Sequence, residues 1–316
     1  MIAFGPVPSR RLGFSLGINH IPPKCCSYAC VYCQVGRTSS LMIEPRTFYT
    51  VDEVVSAVQQ KVYDCAQTGQ KIDYLTFVPD GEPALDQNLA EEIRSLRRFS
   101  IPIAVISNAT LLTNTTVVEA LKLADWVSLK VDSVNENIWR KINRPHGHLR
   151  LEKILEAMLR FSGDYRGKLV TETMLVKNLN DSHTELEEIA AFLETLSPDT
   201  ACLSSPIRPP AEKWVLPPNP QTINSAYQIF SARLPKVELI TTPEKNSFPL
   251  TSQLENDLLS ITAVHPLRED AVRRLVEQSG GSWCQVEELI TAGDLLRLEY
   301  QGDTFYLRNF NAPPSN

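Results

Sequence analysis

The chain has 316 residues, of which 43% are hydrophobic and 22% charged, and its formal net charge is −6. These proportions are those of a folded globular protein and exclude intrinsic disorder. No run of about 18 apolar residues occurs, which excludes a membrane-spanning helix, and no signal peptide is visible, so we expect a cytoplasmic protein. The negative charge argues against a broad nucleic-acid-binding surface, and the length predicts about two domains.

Short apolar segments alternate with amphipathic helical segments from Ser15 to about Thr241. Such alternation predicts βαβ units, a parallel sheet and right-handed crossovers. About six units can be counted, so we predict an α/β fold with a partial (β/α)6 parallel barrel. Chemistry is then expected at the carboxyl ends of the strands. The predicted strands begin at Leu16, Tyr74, Ile101, Trp126, Lys168, Thr200 and Lys236.

The C-terminal region follows a different pattern, which begins after a proline-containing stretch at Thr241. We predict a core domain at residues 1–245 and a second domain at 250–316. Three short helices and a hairpin that turns at residues 301–303 resemble a winged helix. Between Val264 and Phe310, five arginines and no lysine face eight acids. DNA binding is therefore not expected, and a role in protein contact or as a cap over the barrel mouth fits better.

Four cysteines lie within nine residues, at Cys25, Cys26, Cys30 and Cys33. The last three form a C-x3-C-x2-C pattern. Structural zinc sites take four protein ligands, often as paired C-x2-C units, and no second pair is present. Three thiolates on one loop suit a [4Fe-4S] cluster with one iron left open. Cys25 is a strained fourth ligand, because neighbouring side chains of an extended segment point apart. A structural zinc or a simple iron–sulfur role is the alternative.

This pattern, with Tyr32 directly before the third cysteine, resembles the radical S-adenosyl-L-methionine (SAM) superfamily. Residues 4–38 also resemble a prokaryotic branch that is distantly related to wyosine-synthesis enzymes. The resemblance implies that Cys26, Cys30 and Cys33 hold the cluster, that Tyr32 lies beside adenine, and that SAM binds the open iron. Reductive cleavage of SAM then gives a 5′-deoxyadenosyl radical that abstracts hydrogen from a substrate. An electron donor such as flavodoxin or ferredoxin is also implied.

The resemblance implies further cofactor contacts at the ends of the next two strands. Asp80, Gly81 and Glu82 occupy the place of the family's GGE motif, with Asp80 in place of its first glycine. Glu82 is thereby implied to contact the SAM amino group, and the alternative is a plain β-turn. Ser107 and Asn108 end the following strand, where the family's polar residues meet the SAM ribose or carboxylate. A helix-capping turn explains the same residues equally well.

Polar residues also interrupt two strands that should be apolar on both faces. Ser128, Lys130 and Asp132 alternate along one strand, either lining a cofactor cavity or marking a solvated edge, and Asp132 is a candidate SAM contact. Glu172 lies on the next strand, where an unpaired buried carboxylate would be costly. Its expected partners are Lys130, SAM or a substrate cation. Arg208 could hold a carboxylate or phosphate, or form a surface salt bridge.

The sequence leaves three hypotheses open, two that differ in the substrate and one without enzymatic activity. A tRNA or nucleoside substrate is suggested by the wyosine relatives, although those enzymes carry an additional N-terminal cysteine set and no cysteine precedes Cys25 here. A protein or peptide substrate is the second hypothesis. A non-enzymatic iron–sulfur carrier or sensor is the third, and it predicts no affinity for SAM. Arg10 and Arg11 recur in the related branch, but the sequence assigns them no role.

Overall fold

The computed structural model describes residues 2–78, 80–241, 254–264 and 266–309. No helix in these ranges is long and apolar enough to cross a membrane. The helices, in chain order, are α1 (Val51–Gln67), α2 (Leu89–Leu96), α3 (Thr115–Leu121), α4 (Glu136–Asn143), α5 (Leu151–Asp164), α6 (His183–Leu196), α7 (Pro220–Ser231), α8 (Leu254–Val264), α9 (Glu269–Ser279) and α10 (Trp283–Thr291). The strands are β1 (Ala3–Ser9), β2 (Gly13–Ile18), β3 (Cys25–Cys26), β4 (Ser40–Leu41), β5 (Tyr74–Phe77), β6 (Ile103–Ser107), β7 (Trp126–Lys130), β8 (Lys168–Met174), β9 (Thr200–Ser204), β10 (Val237–Leu239), β11 (Leu267–Arg268), β12 (Leu295–Tyr300) and β13 (Asp303–Arg308).

The main sheet has eight strands in the order β1-β2-β5-β6-β7-β8-β9-β10. Strands β2 and β5–β10 run parallel to one another, and this confirms the predicted α/β fold with a parallel sheet. Strand β1 pairs antiparallel with β2 at one edge of the sheet, and the sequence analysis missed it. The prolines at residues 6 and 8 disguise this strand, and an edge strand tolerates proline because its outer N–H groups need no partner.

The helices cover the outer face of the sheet because each presents one apolar face to it. Helix α1 shows the pattern: Thr50 and Glu53 form a capping box at its start, and Val54 and Val58 on one face are fully buried. The buried side chains of the strands and helices form one continuous apolar cluster. This packing holds the carboxyl ends of the parallel strands at one rim of the sheet, where the loops that carry the candidate site begin.

The strand side chains that point away from the helices define the inner face of the sheet. Buried side chains from the β1–β2 turn, from the central strands and from the segment after β10 meet in one small cluster there. Arg10, in the β1–β2 turn, also donates a hydrogen bond to the carbonyl of Ile240, which follows β10. The two ends of the sheet are therefore brought close together. The cluster consists of Leu12, Ala104, Trp126, Val170, Cys202 and Ile240.

The C-terminal helices α8–α10 surround a second apolar cluster with the three-stranded sheet β11-β13-β12. The three helices and the hairpin predicted from the sequence are all present. The predicted domain boundary, by contrast, lies outside the described residues. This unit packs on the main sheet: Val7 of β1 joins its cluster, and the Tyr300 hydroxyl donates to the Pro206 carbonyl at 2.9 Å.

The packing of the helices against the sheet can be tested at Phe161, a residue of α5. Its side chain is fully buried and stacks on Tyr165, with 4.9 Å between the ring centroids. We expect Phe161→Ala to lower the free energy of unfolding by about 3–5 kcal/mol, because it leaves a cavity in addition to the lost burial. Tyr63→Ala is the matched control: that ring is 59% exposed, so we expect a change within about 0.5 kcal/mol. Urea denaturation measures both, and equal effects would contradict the packing described.

Candidate active site

A cavity of about 370 Å³ extends from the carboxyl ends of the strands along the inner face of the sheet to the β1–β2 turn. The three cysteines predicted to hold the cluster, Cys26, Cys30 and Cys33, all border it, and Cys25 does not. Its other polar and charged walls come from the cysteine loop, from the residues after β5, from β7 and β8, and from the β1–β2 turn. They include Arg10, Arg11, Ser15, Lys24, Tyr32, Gln34, Thr38, Thr76, Asp80, Lys130, Glu172 and Arg208.

The cysteine loop is held by backbone hydrogen bonds on both sides. Strand β3 pairs with β4, so the loop closes on itself after Cys33. The Ala29 N–H donates to the carbonyl of Asn143 at 2.9 Å, which joins the loop to the end of α4. Cys25 is buried, and its carbonyl oxygen accepts from the Glu82 N–H at 3.1 Å. Cys25, which the sequence analysis judged a strained fourth ligand, therefore anchors the loop through its backbone.

Two side-chain amides donate to the cysteine sulfurs. Asn108 Nδ2 lies 3.5 Å from Cys26 Sγ, and Asn143 Nδ2 lies 3.4 Å from Cys30 Sγ. Burial raises the pKa of all three thiols, to about 12 for Cys30, so a bound cation is needed to keep them as thiolates at neutral pH. Three thiols on one cavity wall, two of them with hydrogen-bond donors, fit an iron–sulfur cluster with three protein ligands.

Gly81 packs directly against the cysteine loop. A Cβ atom at this position would lie 1.9 Å from the carbonyl oxygen of Cys25, so only glycine fits. On one side, the Lys24 N–H donates to the Asp80 carbonyl at 2.7 Å; on the other lies the hydrogen bond from Glu82 to Cys25. The predicted motif after β5 is therefore brought against the predicted cluster ligands.

Asp80 presents a buried carboxylate at the cavity wall. The side chain is 4% exposed, and burial raises its pKa to about 7. Within the part of the chain that the structure describes, no group donates a hydrogen bond to its carboxylate oxygens. A buried carboxylate without donors favours a cationic partner, so this position suits an ammonium group in the cavity.

Glu82 lies behind the cavity wall, and its carboxylate is held by three donors. Oε1 accepts from Ser107 Oγ at 2.7 Å and from the Ala84 N–H at 3.1 Å, and Oε2 accepts from the Asn108 N–H at 2.7 Å. Burial nevertheless raises the pKa of Glu82 to about 7. The predicted residues Glu82, Ser107 and Asn108 are thus brought together, but they join the ends of β5 and β6 and do not border the cavity. Their direct contact with SAM stays a prediction.

Asp132 also lies behind the wall, where it holds Tyr32. The Tyr32 hydroxyl donates to Asp132 Oδ2, and Asn143 Nδ2 donates to the same oxygen at 2.7 Å. Oδ1 accepts from the Met174 N–H at 2.8 Å. With these partners, Asp132 fixes the ring of Tyr32 at the cavity wall. The Asn143 amide links this network to the Cys30 sulfur, and no sequence motif pointed to it.

Arg11, Lys130 and Glu172 form a buried ionic group deeper in the cavity. Lys130 Nζ lies 2.8 Å from Glu172 Oε1, and Arg11 pairs with the other carboxylate oxygen. Burial alone would raise the pKa of Glu172, but the two cations outweigh it and hold that pKa well below its usual range. Lys130 is therefore a confirmed partner of Glu172. The position of Arg11 was missed because it depends on the β1–β2 hairpin, which the sequence analysis did not predict.

The sequence comparisons agree with this site. The model of the Radical SAM superfamily matches residues 21–193. A UPF0026 protein of Methanocaldococcus jannaschii is 45% identical over 317 residues, covering 100% of this chain and 98% of that protein. The chain therefore belongs to the radical SAM superfamily and, within it, to the UPF0026 proteins. It is an enzyme of this class, and its cofactors are a [4Fe-4S] cluster and SAM.

Two further proteins are similar over most of the chain. An S-adenosylmethionine-dependent nucleotide dehydratase of Flammeovirga pacifica is 21% identical over 285 residues, covering 88% of this chain and 87% of that protein. The crystal structure of a radical SAM methyltransferase from Sphaerobacter thermophilus superposes with a TM-score of 0.57 at 18% identity. That superposition covers 72% of this chain and 67% of the methyltransferase. This second likeness shows that the fold is shared.

Gly81 offers a test of the contact between the two loops. We expect Gly81→Ala to lose most of the cluster iron, because the new methyl group would displace the backbone at Cys25. Gly147→Ala is the control, since a Cβ there meets nothing within 4 Å. Iron and sulfide assays after anaerobic reconstitution measure the effect. Full iron content in Gly81→Ala would contradict the contact.

Asn143 offers a test of the hydrogen bonds to sulfur. The reduced cluster carries one more negative charge and gains more from an N–H donor, so Asn143→Ala should lower the reduction potential by some tens of millivolts. Asn137→Ala, at an exposed position of the same helix, should leave the potential unchanged. An EPR-monitored redox titration measures both. An unchanged potential in Asn143→Ala would show that its contact with Cys30 does not act on the cluster.

Proposed function

We propose that this enzyme abstracts hydrogen from a phosphate-bearing nucleotide, free or within RNA, that binds at the cationic side of the cavity. The observation that carries the proposal is the buried group of Arg11, Lys130 and Glu172, which leaves a positive charge facing the cavity. When bound, the cluster and SAM supply a 5′-deoxyadenosyl radical. The residues of this chain orient the cofactors and substrate and exclude water from them.

The walls of the cavity suggest how the cofactors are held. Cys26, Cys30 and Cys33 would bind three irons, and Tyr32 would lie beside the adenine. Asp80 is the better placed acceptor for the SAM ammonium, because its carboxylate borders the cavity and accepts no hydrogen bond from the described residues. Glu82, predicted to make that contact, would then act through its hydrogen bonds to the β6 end. Ser107, Asn108 and Asp132 would support the site in the same way.

The charges on the cavity wall favour an anionic substrate. Among the described residues, five basic side chains and two acidic ones border the cavity. Arg10, Arg11 and Lys130 surround Glu172 and outnumber it, whereas a cluster with three thiolate ligands would add negative charge at the cysteine end. Guanidinium groups bind phosphate and carboxylate with paired hydrogen bonds, which makes Arg11 a suitable contact. The basic residues are Arg10, Arg11, Lys24, Lys130 and Arg208.

A nucleotide is favoured over a peptide because of the dehydratase relative, whose name states a nucleotide substrate. That relative is similar over most of both chains, so we take its substrate class for the proposal. A phosphate would satisfy the cationic end of the cavity, whereas a peptide would need an acidic side chain to do so. A peptide substrate is therefore an outcome that the substrate test must separate from the proposed one.

We also propose that the fold is a partial (β/α)6 barrel spanning residues 1–245, with a winged-helix-like domain at 250–316. The contact of both sheet ends with one interior cluster supports the first assignment, and the three helices with their hairpin support the second. Four of the five arginines of the second unit pair with neighbouring acids; Arg273 pairs with Glu269 at 2.6 Å and Arg274 with Asp270 at 2.6 Å. This favours a role at the cavity rim or in protein contact over DNA binding.

The cofactor chemistry is tested on anaerobically reconstituted protein. We expect about four irons per chain, an EPR spectrum of the reduced cluster that SAM alters, and slow release of 5′-deoxyadenosine with dithionite. The variant with Cys26, Cys30 and Cys33 all changed to Ala should show none of these. A cluster that ignores SAM, or bound zinc in place of iron, would refute the proposed function.

The substrate class is tested in the same assay with three additions: free nucleoside triphosphates, tRNA, and acidic peptides. We expect a nucleotide or tRNA to stimulate 5′-deoxyadenosine release, and Lys130→Met to raise the concentration needed by about tenfold or more, as loss of a buried charge contact does. Lys153→Met, at a 62% exposed surface position, is the control. Stimulation by peptides alone would contradict a nucleotide substrate and leave the cofactor chemistry intact.

A further inference from the structure

A second group of ligand-type side chains lies outside the cavity, in the core between the end of β2, the loop after β5, and α2. It consists of His20, Asp86 and Glu92, which are 0%, 3% and 0% exposed. One potential ligand atom of each lies within 4.8 Å of those of the other two. None of these residues borders the cavity, and none has a part in the proposed reaction.

Among the residues that the structure describes, four atoms of this group have no hydrogen-bond partner: His20 Nδ1, Asp86 Oδ2 and both carboxylate oxygens of Glu92. The hydrogen bonds of His20 Nε2 and Asp86 Oδ1 explain how these two side chains are turned. We assign the His20 hydrogen to Nε2, which lies 3.0 Å from the Pro83 carbonyl, an acceptor, and in this tautomer Nδ1 presents a lone pair. Asp86 Oδ1 accepts from the Asn88 N–H at 2.8 Å, which leaves Oδ2 turned toward the group. The free atoms are therefore all acceptors.

Buried acceptors that face one another without a donor need a cation between them. We propose that His20 Nδ1, Asp86 Oδ2 and Glu92 bind a single divalent transition-metal ion, which Zn²⁺ can represent. Two carboxylates balance the charge of a divalent ion. One imidazole nitrogen with two carboxylates is a donor set suited to zinc, iron or manganese, whereas calcium and magnesium prefer oxygen ligands alone.

The ion would be structural, with both carboxylate oxygens of Glu92 completing a set of four ligand atoms, and it would position the cofactor loop. Asp86 follows a single 3₁₀ turn, Pro83–Leu85, whose N-cap is Glu82. His20 lies two residues after β2 and contacts the ring of Phe77, at the end of β5, with 4.8 Å between the centroids. A metal ion would thus fasten the loop of Asp80, Gly81 and Glu82 to α2 and to the end of β2, from the side opposite the cluster.

The test uses full-length holoenzyme, in which the reconstituted cluster occupies the cysteines, dialysed anaerobically against Zn²⁺. We expect one tightly bound zinc per chain and a rise in the melting temperature. X-ray absorption at the zinc edge should show only nitrogen and oxygen neighbours at about 2.0–2.2 Å, without the sulfur neighbours at about 2.3 Å that binding to cysteine would give. Absence of bound zinc, or zinc on sulfur, would overturn the proposal. Neither result depends on any variant folding.

The matched variants are Glu92→Gln and Glu91→Gln, at adjacent positions of α2. Glu91 is exposed, so Glu91→Gln should keep one zinc, and Glu92→Gln should bind zinc at least tenfold more weakly. Glutamine also imitates a protonated carboxyl that donates to its neighbours, which is the competing explanation of the group. Unchanged zinc binding in Glu92→Gln, with wild-type stability, would therefore overturn the metal site. Asp86→Asn provides the same comparison if Glu92→Gln does not fold.

Discussion

The close packing of the loop after β5 against the start of the cysteine loop is the contact on which the site depends. Two backbone hydrogen bonds, from Lys24 to Asp80 and from Glu82 to Cys25, join the loops on either side of Gly81. There is no space for a Cβ between them. One loop carries the cysteines proposed to bind the cluster and the other the motif proposed to bind SAM, so the spacing of the loops would set the distance between the two cofactors.

Around this contact the structure places polar residues in two layers. Cys26, Cys30, Tyr32 and Asp80 border the cavity, and residues such as Asn143 behind them orient and satisfy their side chains. A radical intermediate must be kept from water and from stray C–H bonds, so the groups that border it need to be rigid. Hydrogen-bonded residues behind the wall provide that rigidity without entering the reaction.

The buried charges follow a single rule, since each needs a partner of opposite sign or a set of donors. Glu172 has two cations, and Glu82 and Asp132 have donors on both oxygens. Asp80 in the cavity wall and Glu92 in the core depart from this rule, since no described residue donates a hydrogen bond to either carboxylate. These exceptions coincide with the proposed positions of the SAM ammonium and of the metal ion.

The sequence alone identified the class of the protein, which the family comparison confirms, and it predicted the cluster ligands. Three cysteines at fixed spacing are a local pattern, and the period of apolar residues predicts strands and helices without any knowledge of their neighbours. The α/β architecture was therefore predicted without a structure and is confirmed by it, and the assignment of Cys26, Cys30 and Cys33 to the cluster stays a prediction. A buried carboxylate requires a cation, and of the three partners expected for Glu172 the structure shows Lys130, together with Arg11, which was not expected.

Which polar residues reach the cavity depends on how distant parts of the chain pack together. Glu82, Asp132 and Asp80 each have a carboxylate. A sequence motif cannot show which of these carboxylates already accepts hydrogen bonds from neighbouring residues. Arg11 enters the site through a hairpin whose first strand contains prolines, and Asn143 comes from the end of a helix far along the chain. Their positions depend on long-range packing and on the pairing of distant strands, and these interactions leave no periodic trace in the sequence.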